Sequence, residues 1–156
     1  MKTLNLFAAA LLVAGAAAAA TVEWSFPTDL SAGYYLKADG KGGCAFWGVK
    51  TNGSYRVIWL DRKGEVIYDQ TVPQPIFGFT LGTRGLLYSY PSAPTYTAVL
   101  VDKNGAETPV FSPGEHTLTA FTTIFASEVM DKKGFFVFRI PTAPPQAITV
   151  VRYSYK

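Results

Sequence analysis

The stretch YRVIWLDRKGEVIYDQTVP, Tyr55–Pro73, holds two runs of β-branched and aromatic residues around Asp61-Arg62-Lys63-Gly64. Such runs suit a pleated, half-buried surface. The four residues between them have the chemistry of a turn. An Asp at the first position accepts a hydrogen bond from the backbone two residues on. A Gly at the fourth takes the left-handed conformation that a bulged hairpin needs and other residues resist. The segment therefore reads as strand, hairpin turn, strand. Forty-one residues later the chain repeats itself: Tyr96-Thr-Ala-Val-Leu-Val-Asp102 leads into Lys103-Asn104-Gly105. Asp-x-x-Gly also occurs at Asp39–Gly42 and Asp131–Gly134.

Working outward, similar runs bounded by Gly, Pro, Asn and Asp fill the chain from residue 22 onward. Apolar residues do not recur at three-four spacing over ten or more positions there, so no helix is expected. The runs predict strands at 22–26, 33–38, 43–49, 55–60, 65–71, 76–81, 85–90, 96–101, 106–111, 118–129 (broken), 134–140 and 147–154. Short connectors make neighbours antiparallel. A second marker alternates with the first: a Gly followed by an apolar run, at Gly43, Gly85 and Gly134, spaced by 42 and 49 residues. The resulting unit is strand a, tight turn, strand b, loop, strand c, Asp-x-x-Gly turn, strand d. Four strands per roughly 40–50 residues is the period of a propeller blade. In the third unit strand c is the run 147–154, and no strand d follows it. Val22-Glu-Trp-Ser-Phe-Pro27 is spelled like the other d strands, Val66–Pro73 and Thr108–Pro113, each ending at a proline.

In its repeat period and its recurrent Tyr…Leu/Val-Asp-x-x-Gly strand-turn, the chain resembles the β-propeller superfamily, as in secreted bacterial propellers and WD40-like repeats. The resemblance covers nearly all of residues 21–156. It implies an all-β domain of three four-stranded antiparallel blades, with the N-terminal strand completing the last blade. Two copies that complete one another would form a six-bladed homodimer. A β-sandwich or a meander is the alternative arrangement of the same strands.

Residues 1–20 read differently. Lys2 precedes an apolar core, Leu4–Gly15, and Ala18 and Ala20 fit the small-x-small rule before a cut at Thr21. The core is shorter than the ~20 residues a membrane span needs. The expectation is a cleaved signal peptide, a secreted or periplasmic protein, and a single domain, 21–156, with no membrane span after cleavage. Setting Lys2 aside leaves 13 basic and 11 acidic residues, a net charge of +2 with no basic stripe. That excludes the phosphate-neutralising surface of a nucleic-acid binder. Cys44 is the only cysteine and rules out an intrachain disulfide; its apolar context, GGCAFWG, makes it a small buried hydrophobe.

Recognisable catalytic chemistry is absent. His116 is the only histidine, so serine triads and histidine-rich metal sites lack their imidazoles. In its connector, SPGEHTLTA, it reads as a solvated loop residue. Six of the eleven acidic residues lie in or beside hairpin turns, which gives them structural work. No enzyme activity, metal or cofactor is implied. The b–c and d–a loops are instead irregular and proline-rich, as in Pro91–Thr95 and Pro141–Gln146, and stiff loops lose less entropy on binding. Trp47, Tyr55, Tyr90, Tyr96 and Arg139 fall at or near strand ends on that side. Aromatic side chains with an Arg suit a protein or peptide partner. A glycan bound in the manner of a lectin is the alternative. For Trp47, Tyr55 and Tyr96, packing within the blades is the competing role.

Overall fold

Three antiparallel meanders follow one another along the chain, in a computed structural model that describes residues 22–112, 114–117, 121–130, 133–143 and 147–154. The first sheet comprises β1 (Leu30–Ala38), β2 (Cys44–Lys50), β3 (Tyr55–Leu60) and β4 (Val66–Val72). The second comprises β5 (Gly78–Gly82), β6 (Gly85–Ser92), β7 (Thr95–Val101) and β8 (Glu107–Pro109). The third has β9 (Phe121–Met130), β10 (Gly134–Pro141) and β11 (Thr149–Ser154). Within each sheet the spatial order follows the sequence, and every pairing is antiparallel. The described residues contain no helix.

The turns form as their chemistry dictates. Asp61 Oδ1 accepts from the N–H groups of Lys63 (2.7 Å) and Glu65 (3.0 Å). Asp102 Oδ1 does the same with Asn104 (2.7 Å) and Ala106 (3.0 Å). Gly64 and Gly105 both adopt φ +81°, the region open to glycine. These backbone bonds hold both Asp carboxyls below the usual carboxylate range. Asp39 binds the N–H groups of Lys41 and Gly43 at 2.7 and 2.9 Å. The fourth marker begins at Asp131, outside the described residues.

The second marker has a steric basis. A Cβ on Gly85 would lie 1.9 Å from the carbonyl oxygen of Val101, and one on Gly134 the same distance from that of Tyr153. On Gly43 it would lie 2.6 Å from the carbonyl oxygen of Leu60. Each glycine thus precedes strand b where strand c ends, and only a hydrogen fits. The pairings Cys44–Leu60, Leu86–Val101 and Phe135–Tyr153 follow directly.

Two cores lie between the sheets. Ala45, Val57, Trp59, Tyr68 and Val72 of the first sheet meet Phe79, Leu86, Tyr88, Val99 and Val101 of the second. Leu87 and Tyr96 on the second sheet's other face meet Phe135 and Val137 of the third. The sheets also adjoin through their first strands, β1 against β5 and β5 against β9.

Three expectations are corrected. Residues 22–29 form no strand and pair with no edge of the third sheet. They lie instead on the first sheet's outer face: the Trp24 ring covers Gly64, and Phe26 meets Phe46 edge-on at 6.4 Å. Asp29 anchors the segment through Lys50 (2.8 Å) and Arg56 (2.5 Å). The third sheet therefore has three strands, and the sheets show no closure, among the described residues. β8 is shorter than expected, because Pro109 removes a ladder donor from an edge strand. β9 is assigned as continuous, yet its register jumps between the Phe135–Met130 and Val137–Ala126 pairs, a bulge where a break was expected.

Candidate functional site

At the b–c end of the first sheet, packing rules put several rings on one face. Trp47 and Tyr55 sit on neighbouring strands, with Trp47 opposite Val57 and Tyr55 opposite Val49. Alternation sends both toward the second sheet. Their ring centroids are 6.0 Å apart. A register shift in β1 between Gly33 and Tyr35 turns Tyr34 to the same side, where it stacks on Trp47 at 5.0 Å with 22° between the planes. Tyr34 is 58 % exposed. The adjoining loop is held firmly: Lys50 N–H donates to Ser54 O at 2.8 Å, and Ser54 Oγ to Asn52 Oδ1 at 2.7 Å.

Tyr90 reaches the same core from the second sheet and stacks on Tyr88 at 6.0 Å, 14° between planes. Burial and the Glu107 charge raise its phenol pKa. Beneath it, Tyr68 Oη donates to Glu107 Oε1 at 2.5 Å and meets Tyr88 Oη at 2.6 Å. Tyr68 has one proton and gives it to Glu107, so Tyr88 donates to Tyr68. Burial pushes the Tyr88 phenol up to about 12. These phenols link the first sheet to the second.

Tyr96 and Arg139 belong elsewhere. Tyr96 is 5 % exposed and packs between the second and third sheets with Phe77 against it. Arg139 is half-buried in the third sheet and donates from Nη2 to Tyr153 Oη at 3.5 Å. Three of the five sequence-derived candidates, Trp47, Tyr55 and Tyr90, thus flank one core margin.

Near Arg139 lies a cluster that reading the sequence missed. His116 is not solvated; it is 1 % exposed. Its loop folds back so that Tyr96 N–H donates to His116 O at 2.8 Å, and Phe111 meets the imidazole edge-on at 4.2 Å. Tyr153 Oη donates to Glu115 Oε1, so His116 Nε2, at 2.8 Å from the same oxygen, is the donor and carries the proton of the neutral ring. Burial, then the Arg139 charge, lowers the His116 pKa despite the Glu115 carboxylate. Burial works against ionised Glu115, but the Tyr153 hydroxyl and Ser112 N–H outweigh it and lower its pKa. Glu115 and Tyr153 border an open groove of about 820 Å³ between the second and third sheets.

Comparison with protein-family models, curated proteins and solved structures found no match. Function therefore rests on the residues themselves. Among the described residues no group of three or more His, Cys, Asp and Glu could hold a metal ion, and no helix is long and apolar enough to cross a membrane. Residues 1–20, where a leader is expected, lie outside the described residues. The one available signal for Tyr34 was its place directly after Gly33, the start of the expected strand 33–38; nothing in its own connector marked His116, because its burial depends on Phe111 and Tyr153.

Proposed function

We propose that the chain is an exported, non-catalytic binding domain, a propeller-like array of three sheets that presents the b–c loop end to a protein or peptide. The observation that carries this is the exposed Tyr34 stacked on Trp47, backed by Tyr55, beside an ordered loop. Rigid aromatic contact area of this kind supplies binding energy at little entropic cost. A protein or peptide is favoured over a sugar because Trp47 and Tyr90 each have a broad ring face covered, by Tyr34 and Tyr88, which leaves Tyr34 as the exposed ring of the group. A lectin-type pocket needs such a face open. Three consecutive meanders adjoining through their first strands support the propeller-like reading.

The test is selection from a peptide-display library alongside a glycan panel. A selected peptide should lose about tenfold in affinity on Tyr34→Ala, the scale of one hot-spot contact. Undiminished binding by that variant, or glycan binding competed by free sugar, defeats the reading. Export is checked by N-terminal sequencing of the secreted or periplasmic protein, which should begin at Thr21.

A further inference from the structure

The Trp24 ring lies against Gly64, the left-handed glycine of the first sheet's c–d turn. One sheet further on, β4 lies against Gly105, the same glycine of the second sheet: a Cβ there would meet Ile67 O at 2.5 Å. The segment 22–27 thus sits on the first sheet as β4, a fourth strand, sits on the second. From Glu23 to Pro27 its exposure alternates, with Trp24 and Phe26 half-buried and Glu23, Ser25 and Pro27 exposed. That is the period of a strand with one face already docked. Among the described residues it pairs with no strand.

The third sheet has the converse need. β11 offers an edge with no partner strand among the described residues. Where a fourth strand would run there is the groove, bounded by Thr108 and Val110 on one side and Phe135 and Tyr153 on the other. In the preceding pair of sheets the matching volume, between β4 and β7, is filled by β8, whose Glu107 accepts from Tyr68 of β4.

We propose that the groove receives residues 22–27 of a second copy of this chain, hydrogen-bonded antiparallel to β11, so that two copies complete each other's third sheet. Trp24 and Phe26 stay on their own first sheet throughout. The exposed backbone edge and the Glu23 and Ser25 side enter the partner's groove. Aligning Val22–Pro27 with Thr108–Pro113 sets Val22 opposite Arg152, as Thr108 stands opposite Leu100. Arg84 lines the groove with a charge opposite to that of Glu23.

The faces that would then meet are the two apolar ones left at the ends of the array. Leu36 and Val66 of the first sheet are 65 % and 49 % exposed; Phe138 and Val150 of the third are 40 % and 54 % exposed. Large exposed apolar area of this kind marks an interface. An unpaired edge strand is in addition a template for another chain. A second copy is chosen over a foreign peptide because the chain itself holds an extended segment in the required place.

Two experiments decide it, both on the protein from residue 21 onward. Sedimentation should give the mass of two chains, and deletion of residues 22–27 should give one. Because that deletion could also unfold the first sheet, a crosslinking assay stands beside it. In a Cys44→Ala background, protein carrying Val22→Cys is mixed with protein carrying Arg152→Cys and oxidised. A covalent mixed dimer is expected, and it should be lost when Asn52→Cys replaces Arg152→Cys. A single-chain mass for the undeleted protein overturns the proposal, even if foreign peptides bind the groove. So does a mixed dimer formed equally well with the Asn52→Cys control. Neither result bears on the Tyr34–Trp47 surface, whose peptide affinity is measured separately.

Discussion

Gly85 leaves no room for a side chain. At φ +137° it faces Val101 O, and Gly85→Ala combines a forbidden approach with a strained backbone. The conformational strain alone costs of order 1–3 kcal/mol. Chemical denaturation should show a loss at least that large. Gly33→Ala is the control: nothing lies within 4 Å of the added carbon and φ is not positive, so stability should stay within about 0.5 kcal/mol. Gly43, Gly85 and Gly134 were legible from sequence because each precedes an apolar run at a repeated spacing, although the carbonyl that excludes a side chain belongs to the neighbouring strand. Three of the Asp-x-x-Gly markers, at Asp39, Asp61 and Asp102, were legible because the Asp side chain bonds the next few N–H groups of its own turn. His116 was not. A lone imidazole in a polar loop carries no sign of the phenol 37 residues away that will accept its hydrogen bond.

At the scale of elements, strands that alternate cleanly were read to within a residue or two, β3 among them. The N-terminal strand was read from composition alone, and composition does not say which edge a segment reaches. Its apolar residues found the first sheet's outer face instead. The linker from β8 to β9 titrates. His116 has its pKa lowered in the folded protein, so the unfolded chain binds the extra proton first. Stability is therefore full above the ordinary value of 6.5 and falls as pH drops through that value toward the lowered one. Thermal melts across this range should show the decline, and His116→Gln should flatten it. Between the first two sheets, Tyr68→Phe strips the buried Tyr88 hydroxyl of its partner and releases Glu107 at the core's exposed margin. Leaving that hydroxyl unsatisfied costs about 1–3 kcal/mol, read as a lower denaturation midpoint at unchanged slope.

For the whole molecule, acid acts through the turn carboxyls. Asp61 and Asp102 have lowered pKa values in the fold, so their contribution is present above the ordinary value of 3.8 and disappears as pH falls through the folded values. Both turns are repeated hairpin ends, so Asp61→Asn and Asp102→Asn together should blunt acid unfolding followed by circular dichroism. From its residues alone the chain determined an all-β class, the positions of the hairpins and the glycines that permit them, because these depend on backbone conformation and bonds within a few residues. Only the tertiary structure decided which faces are covered: it buried His116 and Tyr96, gathered Tyr34 with Trp47 and Tyr55, and laid residues 22–27 on the first sheet. Burial of apolar surface is non-directional and has no range in sequence, so its outcome waits on which surfaces the sheets bring together.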